Sequence, residues 1–165
     1  HLAEVENMEK KKKYFKNAVG YTCWGGIFAP EPWLSTQCDL SVMFGPDIFE
    51  EFVLWELKMS YNRSPKYNYY HMDGPEQLPH LPLLLSIENL RCIQYVPRPE
   101  ETNLSRVRDI YKPISDAGKN IWYTGDIEDL DQLGDVLGTL KGVFVTKTYS
   151  MKDYDYVMKL VEKFV

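Results

Sequence analysis

The feature that most constrains the fold of this chain is a regular alternation of short apolar segments with longer mixed ones. Apolar and aromatic residues cluster at 67–72, 92–96, 120–124 and 142–147, and the centres of these segments lie 24, 28 and 23 residues apart. Each gap has room for one helix, so each repeat is predicted to be one strand–helix unit. Because parallel strands need a crossover of about this length, the pattern predicts an α/β protein with a parallel sheet.

The flanking segments and the helix ends extend this prediction. Residues 2–17 predict a helix, residues 34–43 predict a short strand with its exit, and Gly45-Pro46 predicts the start of a helix that ends near residue 60. Other residues are typical of helix boundaries: the expected N-caps Asp126 and Ser150, the C-terminal Gly118, and Pro113, which predicts a kink.

The predicted strands are apolar on both faces, as in Ile121-Trp122-Tyr123 and Val143-Phe144-Val145. Strands of this kind occur in sheets that are covered by helices and in closed barrels. A (β/α)8 barrel needs about 250 residues, whereas this chain has 165. Length alone therefore favours an open, flavodoxin-like sheet.

Composition argues against several classes of function. The 24 acidic residues exceed the 19 basic ones and give a net charge of −5, which disfavours a nucleic-acid partner. No apolar run approaches the roughly 20 residues of a membrane span, and no signal peptide is recognisable, so a cytoplasmic protein with no membrane partner is expected. The three cysteines lack CxxC spacing, which agrees with a reducing compartment. Aromatic residues make up 14%, enough to line a pocket for a small-molecule substrate.

The candidate site follows from the sheet, because sites in parallel α/β proteins lie at the carboxyl ends of the strands. His71 and Asp73 end one predicted strand two residues apart, so their side chains share a face. An imidazole beside a carboxylate can move a proton, hold a polar substrate or bind a metal ion. These two residues are therefore the predicted catalytic pair and candidate metal ligands. The residues predicted to bind substrate around them are Asp39, Gln94, Gln37, Trp24 and Asp126.

Structural roles stay open for the same residues. Asp73 could cap the turn at Gly74-Pro75 while His71 bonds to a neighbouring group. His80 could complete a metal site, or it could be a surface or helix-capping residue. The sequence has no GxGxxG motif, phosphate-binding loop, GxSxG elbow or HExxH motif, so it gives no sign of the usual nucleotide, hydrolase or zinc-protease sites.

An ordered series of motifs over residues 21–165 resembles the uroporphyrinogen decarboxylase superfamily. The similarity is greatest to its divergent branch of uroporphyrinogen-decarboxylase-like or trimethylamine-corrinoid-related proteins. The motifs, in chain order, are Asp39, Gly45-Pro46-Asp47-Ile48-Phe49 with Phe52, His71-Met72-Asp73-Gly74, His80-Leu81 with Leu84-Leu85, Ile93-Gln94-Tyr95-Val96-Pro97, and Ile114 with Ala117-Gly118-Lys119.

The resemblance implies a fold and a domain organisation. The superfamily forms a (β/α)8 barrel roughly twice as long as this chain, and the motifs are those of its C-terminal half. The resemblance therefore implies that residues 1–165 are a single domain, the C-terminal part of a TIM barrel of uroporphyrinogen-decarboxylase type. His1 in place of an initiating Met agrees with a piece of a longer protein.

The resemblance also implies three possible functions. The first is a methyltransferase-like enzyme that acts on a methylated small molecule or a corrinoid protein partner. The second is a metal-independent decarboxylase, a lyase for a porphyrinogen or another carboxylic acid, and the third is a non-catalytic ligand-binding barrel. Zinc-dependent members carry His-x-Cys where this chain has His71-x-Asp73, and a carboxylate is a harder, less zinc-selective ligand than a thiolate. The cofactor is accordingly either a divalent metal or none.

Overall fold

A computed structural model describes residues 20–23, 26–31, 33–63 and 66–164. The helix predicted over 2–17 and the predicted aromatic wall Trp24 lie outside these described residues.

Two short strands precede a five-stranded parallel sheet. β1 (Tyr21–Thr22) and β2 (Phe28–Ala29) pair with each other in antiparallel fashion. The strands of the sheet follow one another in space in the same order as in the chain. They are β3 (Trp33–Gln37), β4 (Tyr67–Asp73), β5 (Cys92–Val96), β6 (Asn120–Tyr123) and β7 (Val143–Val145). The predicted α/β class, the parallel pairing and the strand–helix repeat are confirmed.

Five helical connections alternate with, or follow, these strands. A 3-10 turn, Asp39–Met43, separates β3 from the first helix. The helices are α1 (Pro46–Ile48, π-helical Phe49–Leu54 and Trp55–Arg63), α2 (3-10 Pro75–His80 and Leu81–Leu85), α3 (3-10 Asn103–Arg106, π-helical Val107–Tyr111 and Lys112–Asp116), α4 (3-10 Ile127–Asp129 and Leu130–Leu137) and α5 (3-10 Met151–Asp153 and Tyr154–Phe164). None of these described helices is long and apolar enough to cross a membrane.

Several predicted boundaries shift in the structure. The early strand, predicted together with its exit over 34–43, spans Trp33–Gln37, and Asp39 begins the 3-10 turn that follows. The last strand, predicted over 142–147, starts only at Val143 because Gly142 has a φ of 85° and forms part of the preceding turn. Asp126 and Ser150 are N-caps, and Gly118, with a φ of 69°, follows the end of α3, all as predicted.

Pro113 is accommodated by a local change of helix type. The turn immediately before Lys112–Asp116 is π-helical over Val107–Tyr111. A proline has no N–H for the helix and its ring crowds the carbonyl one turn earlier. The wider π-helical turn accommodates both the missing N–H and the crowded carbonyl group. Such single π-helical turns are known to occur within α-helices.

The two faces of the sheet are covered differently. Alternate strand residues, among them Tyr70, Ile93 and Ile121, join buried residues of α1 to α4 in one large core. The opposite face carries a much smaller buried cluster of Tyr69, Cys92 and Trp122, against which residues of the β1–β2 segment pack. None of the helices in the part of the chain that the structure describes packs on this second surface, which we call the helix-free face. A doubly wound sheet has helices on both faces and a strand order that reverses, so the flavodoxin-like sheet favoured by length is wrong.

Buried polar groups fix the loops at the amino ends of the strands. The Lys119 side chain is only 9% exposed, and its Nζ donates to the carbonyl oxygens of Ile87 at 2.6 Å and Leu90 at 3.0 Å. Asn68 accepts a hydrogen bond from the backbone N of Arg91 at 2.8 Å and donates to the Asn89 carbonyl at 3.0 Å. Together the two side chains hold the segment that leads into β5.

We expect Lys119→Met to lower the free energy of unfolding by about 1–3 kcal/mol, because two buried carbonyl groups lose their donor. Burial lowers the pKa of Lys119 from its usual 10.5, with the nearby Arg91 acting in the same direction. The unfolded chain therefore holds this proton more tightly, and the stability advantage of the natural protein over the variant should grow as the pH rises toward 10.5. Urea titrations at two pH values measure both effects. Lys58→Met on the exposed surface of α1 is the control, and equal losses in the two variants would contradict the role given to Lys119.

Candidate functional site

One row of side chains runs from strand to strand across the helix-free face, near the carboxyl ends of the strands. In the register of the sheet, Gln37 pairs with His71, His71 with Gln94, and Gln94 with Trp122. Since paired residues of neighbouring parallel strands point to the same side, the two glutamines flank the histidine. The structure thus brings together three of the residues that the sequence predicted for the site.

The central contact of this row joins His71 to Gln94. The Nδ1 atom of His71 lies 2.7 Å from Oε1 of Gln94. Gln94 is 3% exposed, whereas His71 is half-buried. An amide oxygen can only accept a hydrogen bond, so this contact places the proton of a neutral imidazole on Nδ1. In that tautomer Nε2 is the ring nitrogen without a hydrogen atom.

Two predicted carboxylates lie beside the row. Nε2 of Gln37 donates to Oδ2 of Asp39 at 3.3 Å, which ties the 3-10 turn after β3 to the row. Asp73 is exposed at the end of β4, two residues after His71 and therefore on the same side of the strand. The site consequently has one imidazole, two primary amides and two carboxylates at its open end.

Asp126 has a different setting from the one predicted. It caps α4 after β6, and its carboxylate pairs with Nζ of Lys147 at 2.6 Å. This partner raises the pKa of Lys147. Asp126 therefore lies at the same end of the sheet as His71, but its position is explained by helix capping and by an ion pair.

His80 belongs to the main core and not to the site. Its ring is 1% exposed, stacks on Phe49 at a centroid distance of 4.4 Å, and places Nε2 3.0 Å from the Ser41 carbonyl oxygen. The helix after β4 turns His80 toward α1, away from the face that carries His71. The sequence left two roles open for His80, as a metal ligand or as a surface or capping residue. In the structure, its ring instead packs in the main core.

The residues present do not fit a zinc centre. Catalytic zinc sites use three protein ligands from His, Cys, Asp or Glu. Within the described ranges, no group of three or more such side chains could hold a metal ion, and His71 with Asp73 supplies only two donors. Burial raises the pKa of Cys92 to about 12, so that thiol stays protonated on the helix-free face.

Aromatic side chains form the floor next to the polar row. Tyr69 and Trp122 meet edge to face at 5.0 Å, and Trp122 meets Phe144 at 6.0 Å. Nε1 of Trp122 donates to Oγ1 of Thr146 at 2.6 Å. Sequence reasoning missed Tyr69 and Phe144, although Tyr69 lies two residues before His71 and so shares its face.

No protein family, curated protein or solved structure matches the chain. Functional inference therefore rests on the geometry of the polar row and on the ordered motifs of the sequence.

His71 and His80 should differ in how much stability the protein loses when each is truncated to alanine. We expect His71→Ala to change the free energy of unfolding by less than about 1 kcal/mol, because the half-exposed position lets water reach Gln94. His80→Ala should cost about 3 kcal/mol, because it removes a fully buried stacked ring. Urea unfolding of both variants measures the difference. Similar losses would mean that His71 is a structural residue.

Proposed function

We propose that this chain is the C-terminal part of a uroporphyrinogen-decarboxylase-like (β/α)8 barrel and a cytoplasmic, methyltransferase-like enzyme. The sequential strand order and the placement of the helices on one face support the barrel, because both are properties of a barrel wall. The motif His71-Met72-Asp73-Gly74 ends β4, where barrel enzymes carry catalytic residues. The observation on which the enzymatic proposal depends is the 2.7 Å contact between His71 and Gln94.

The edges of the sheet give the barrel proposal independent support. Among the described strands, β3 and β7 each pair on one side only. Next to β3, helix α1 exposes Phe52 and Trp55, each by 64%. Next to β7, an apolar groove of about 390 Å³ lies between α4 and α5 and is lined by Val143, Val145, Val157, Val161 and Phe164, among others. Further strand–helix units would cover apolar surface at both edges.

His71 has the properties of an acid–base group for a polar substrate. With Nδ1 bonded to Gln94, the imidazolium form can donate its proton from Nε2 and become the neutral tautomer that the glutamine already favours. Gln37 and the carboxylates of Asp39 and Asp73 offer hydrogen-bonding groups around the position that a substrate would occupy. No metal ion enters this proposal, because within the described ranges no group of three or more possible ligands could hold one.

Methyl transfer uses these groups as follows. The carbon–nitrogen or carbon–oxygen bond of a methylated small molecule breaks as the methyl group passes to a reduced corrinoid on a partner protein. The bonding electrons stay on the nitrogen or oxygen, which then accepts the Nε2 proton of His71. A partner protein would have an apolar surface to contact at this end of the sheet, since the turn after β3 exposes Leu40 by 68% and Met43 by 77%.

Decarboxylation is the second candidate, and the metal-poor donor set favours it. Loss of CO2 from a carboxylic acid leaves an electron pair on carbon, and that carbon must be protonated. His71 could supply the proton from Nε2 without any cofactor, while amide side chains hold the remaining polar groups of the substrate. Binding of substrate without turnover would instead identify a non-catalytic barrel.

In the full-length protein, we expect His71→Ala to reduce turnover by 10²–10⁴-fold, the usual contribution of a general acid. One assay follows the methylation of free cob(I)alamin by methylated amines, and the other follows CO2 release from a carboxylated porphyrinogen. The matched control is Gln132→Ala on exposed α4. Gln94→Leu should also lose activity, because the tautomer is no longer fixed. Turnover that is unaffected by His71→Ala, or the lack of turnover in both assays, would contradict the proposal.

The open edges predict association of the 165-residue chain. Because β3 and β7 each pair on one side only among the described strands and have apolar neighbours, we expect concentration-dependent oligomers in size-exclusion chromatography with light scattering. Replacing the two exposed aromatics, Phe52→Gln with Trp55→Gln, should shift the distribution toward monomer. A monomer at all concentrations, with a sharp melting transition at high temperature, would refute the barrel-segment proposal.

A further inference from the structure

The amino ends of the strands carry a series of basic residues that the proposed function does not use. Lys66 immediately precedes β4, Arg91 precedes β5 and Lys119 precedes β6. Lys119 is buried and bonded to carbonyl groups, but Lys66 and Arg91 are exposed. Two exposed carboxylates, Glu31 and Glu88, also lie in the loops that precede β3 and β5, but neither lines the cleft described next.

A cleft of about 360 Å³ opens between these residues. Its walls include the first residues of four successive strands, so it lies on the amino-terminal rim of the helix-free face. The lining residues are Trp33, Lys66, Tyr67, Asn68, Arg91, Cys92 and Asn120. Tyr67 is four residues before His71 on β4, about 13 Å along the strand, so this cleft is separate from the polar row at the other end.

Arg91 is held rigidly at the edge of the cleft. Its backbone N donates to Oδ1 of Asn68 at 2.8 Å, and its carbonyl oxygen accepts a hydrogen bond from the backbone N of Asn120 at 2.8 Å. The main chain is thus fixed from two neighbouring strands while the guanidinium stays exposed. Among the residues that the structure describes, no carboxylate lies within ion-pairing distance of Arg91 or Lys66.

The remaining walls of the cleft suit a flat ring. Trp33 and Tyr67 lie with their centroids 5.7 Å apart at an interplanar angle of 54°, so they form an angled aromatic corner. Nζ of Lys66 lies 5.5 Å from the centre of the Tyr67 ring, which places a positive charge directly beside that corner. Pockets for small ligands commonly combine such aromatic walls with a few polar groups, and this volume is within their usual range.

We propose that this cleft is a second binding site, for a small organic anion with a planar ring. The ring packs against Trp33 and Tyr67, and the carboxylate or phosphate of the ligand pairs with Arg91 and Lys66. Arginine offers a planar pair of donors that matches either anion, and lysine adds a second charge. The site does not depend on the chemistry proposed for His71.

Binding of naphthoate, naphthyl phosphate and neutral naphthamide to the purified chain tests this proposal by isothermal titration calorimetry. At least one of the two anions should bind saturably, and naphthamide at least tenfold more weakly. The stronger of the two anions shows whether the charged group is a carboxylate or a phosphate. Arg91→Gln should weaken anion binding at least tenfold, and Trp33→Leu should weaken binding of all three ring compounds. Circular dichroism and thermal melting confirm that each variant is folded.

Two control variants test whether the anion binds in this cleft and nowhere else on the chain. Arg108→Gln removes an exposed arginine of α3 that is not part of the cleft and should leave the affinity unchanged. His71→Ala should also leave it unchanged, because the polar row lies at the opposite end of the sheet. No saturable binding of either anion at millimolar concentration, equal binding by Arg91→Gln, or loss of binding in His71→Ala would each overturn the proposal.

Discussion

The in-register pairing of the parallel strands is the constraint on which the rest of the structure depends. Pairing His71 with Gln37 and Gln94 places polar groups on the helix-free face and leaves Tyr70 and Ile93 in the helix-covered core. A slip of one residue in any strand would exchange its two faces. It would bury an imidazole or an amide among apolar side chains without partners, at a cost of several kcal/mol. The position of the site and the integrity of the core are therefore fixed by the same hydrogen bonds.

Three tyrosines combine a buried aromatic ring with a hydroxyl group that reaches a polar partner. The hydroxyl of Tyr61 bonds to Thr36, and that of Tyr111 bonds to Asn103. Tyr95 donates to Glu101 at 3.1 Å, and burial with this carboxylate raises its pKa to about 12. Each ring fills apolar volume while its hydroxyl reaches a polar group at the edge of the core. The high aromatic content thus serves the core as well as any pocket.

Periodicity was sufficient to predict the fold class, because strand and helix patterns repeat at a nearly constant interval along the chain. The pairing of His71 with Gln94 was also predictable, since both lie at the carboxyl ends of adjacent strands. The role of His80 was not, because only tertiary packing shows that α2 turns it onto Phe49. Length misled the prediction of a flavodoxin-like sheet, because the number of residues does not say which faces of a sheet the helices cover.

The charged side chains beside the polar row and those beside the cleft lie at opposite ends of the sheet. Asp39 and Asp73 lie beside the polar row, whereas Lys66 and Arg91 lie at the opposite rim. The distance of about 13 Å along β4 exceeds the Debye length of about 8 Å at physiological ionic strength. Exposed charges at one end therefore have little electrostatic influence on the groups at the other. Since the strands themselves are fixed by the core, side chains at each end can be adapted to different ligands without any change to the fold.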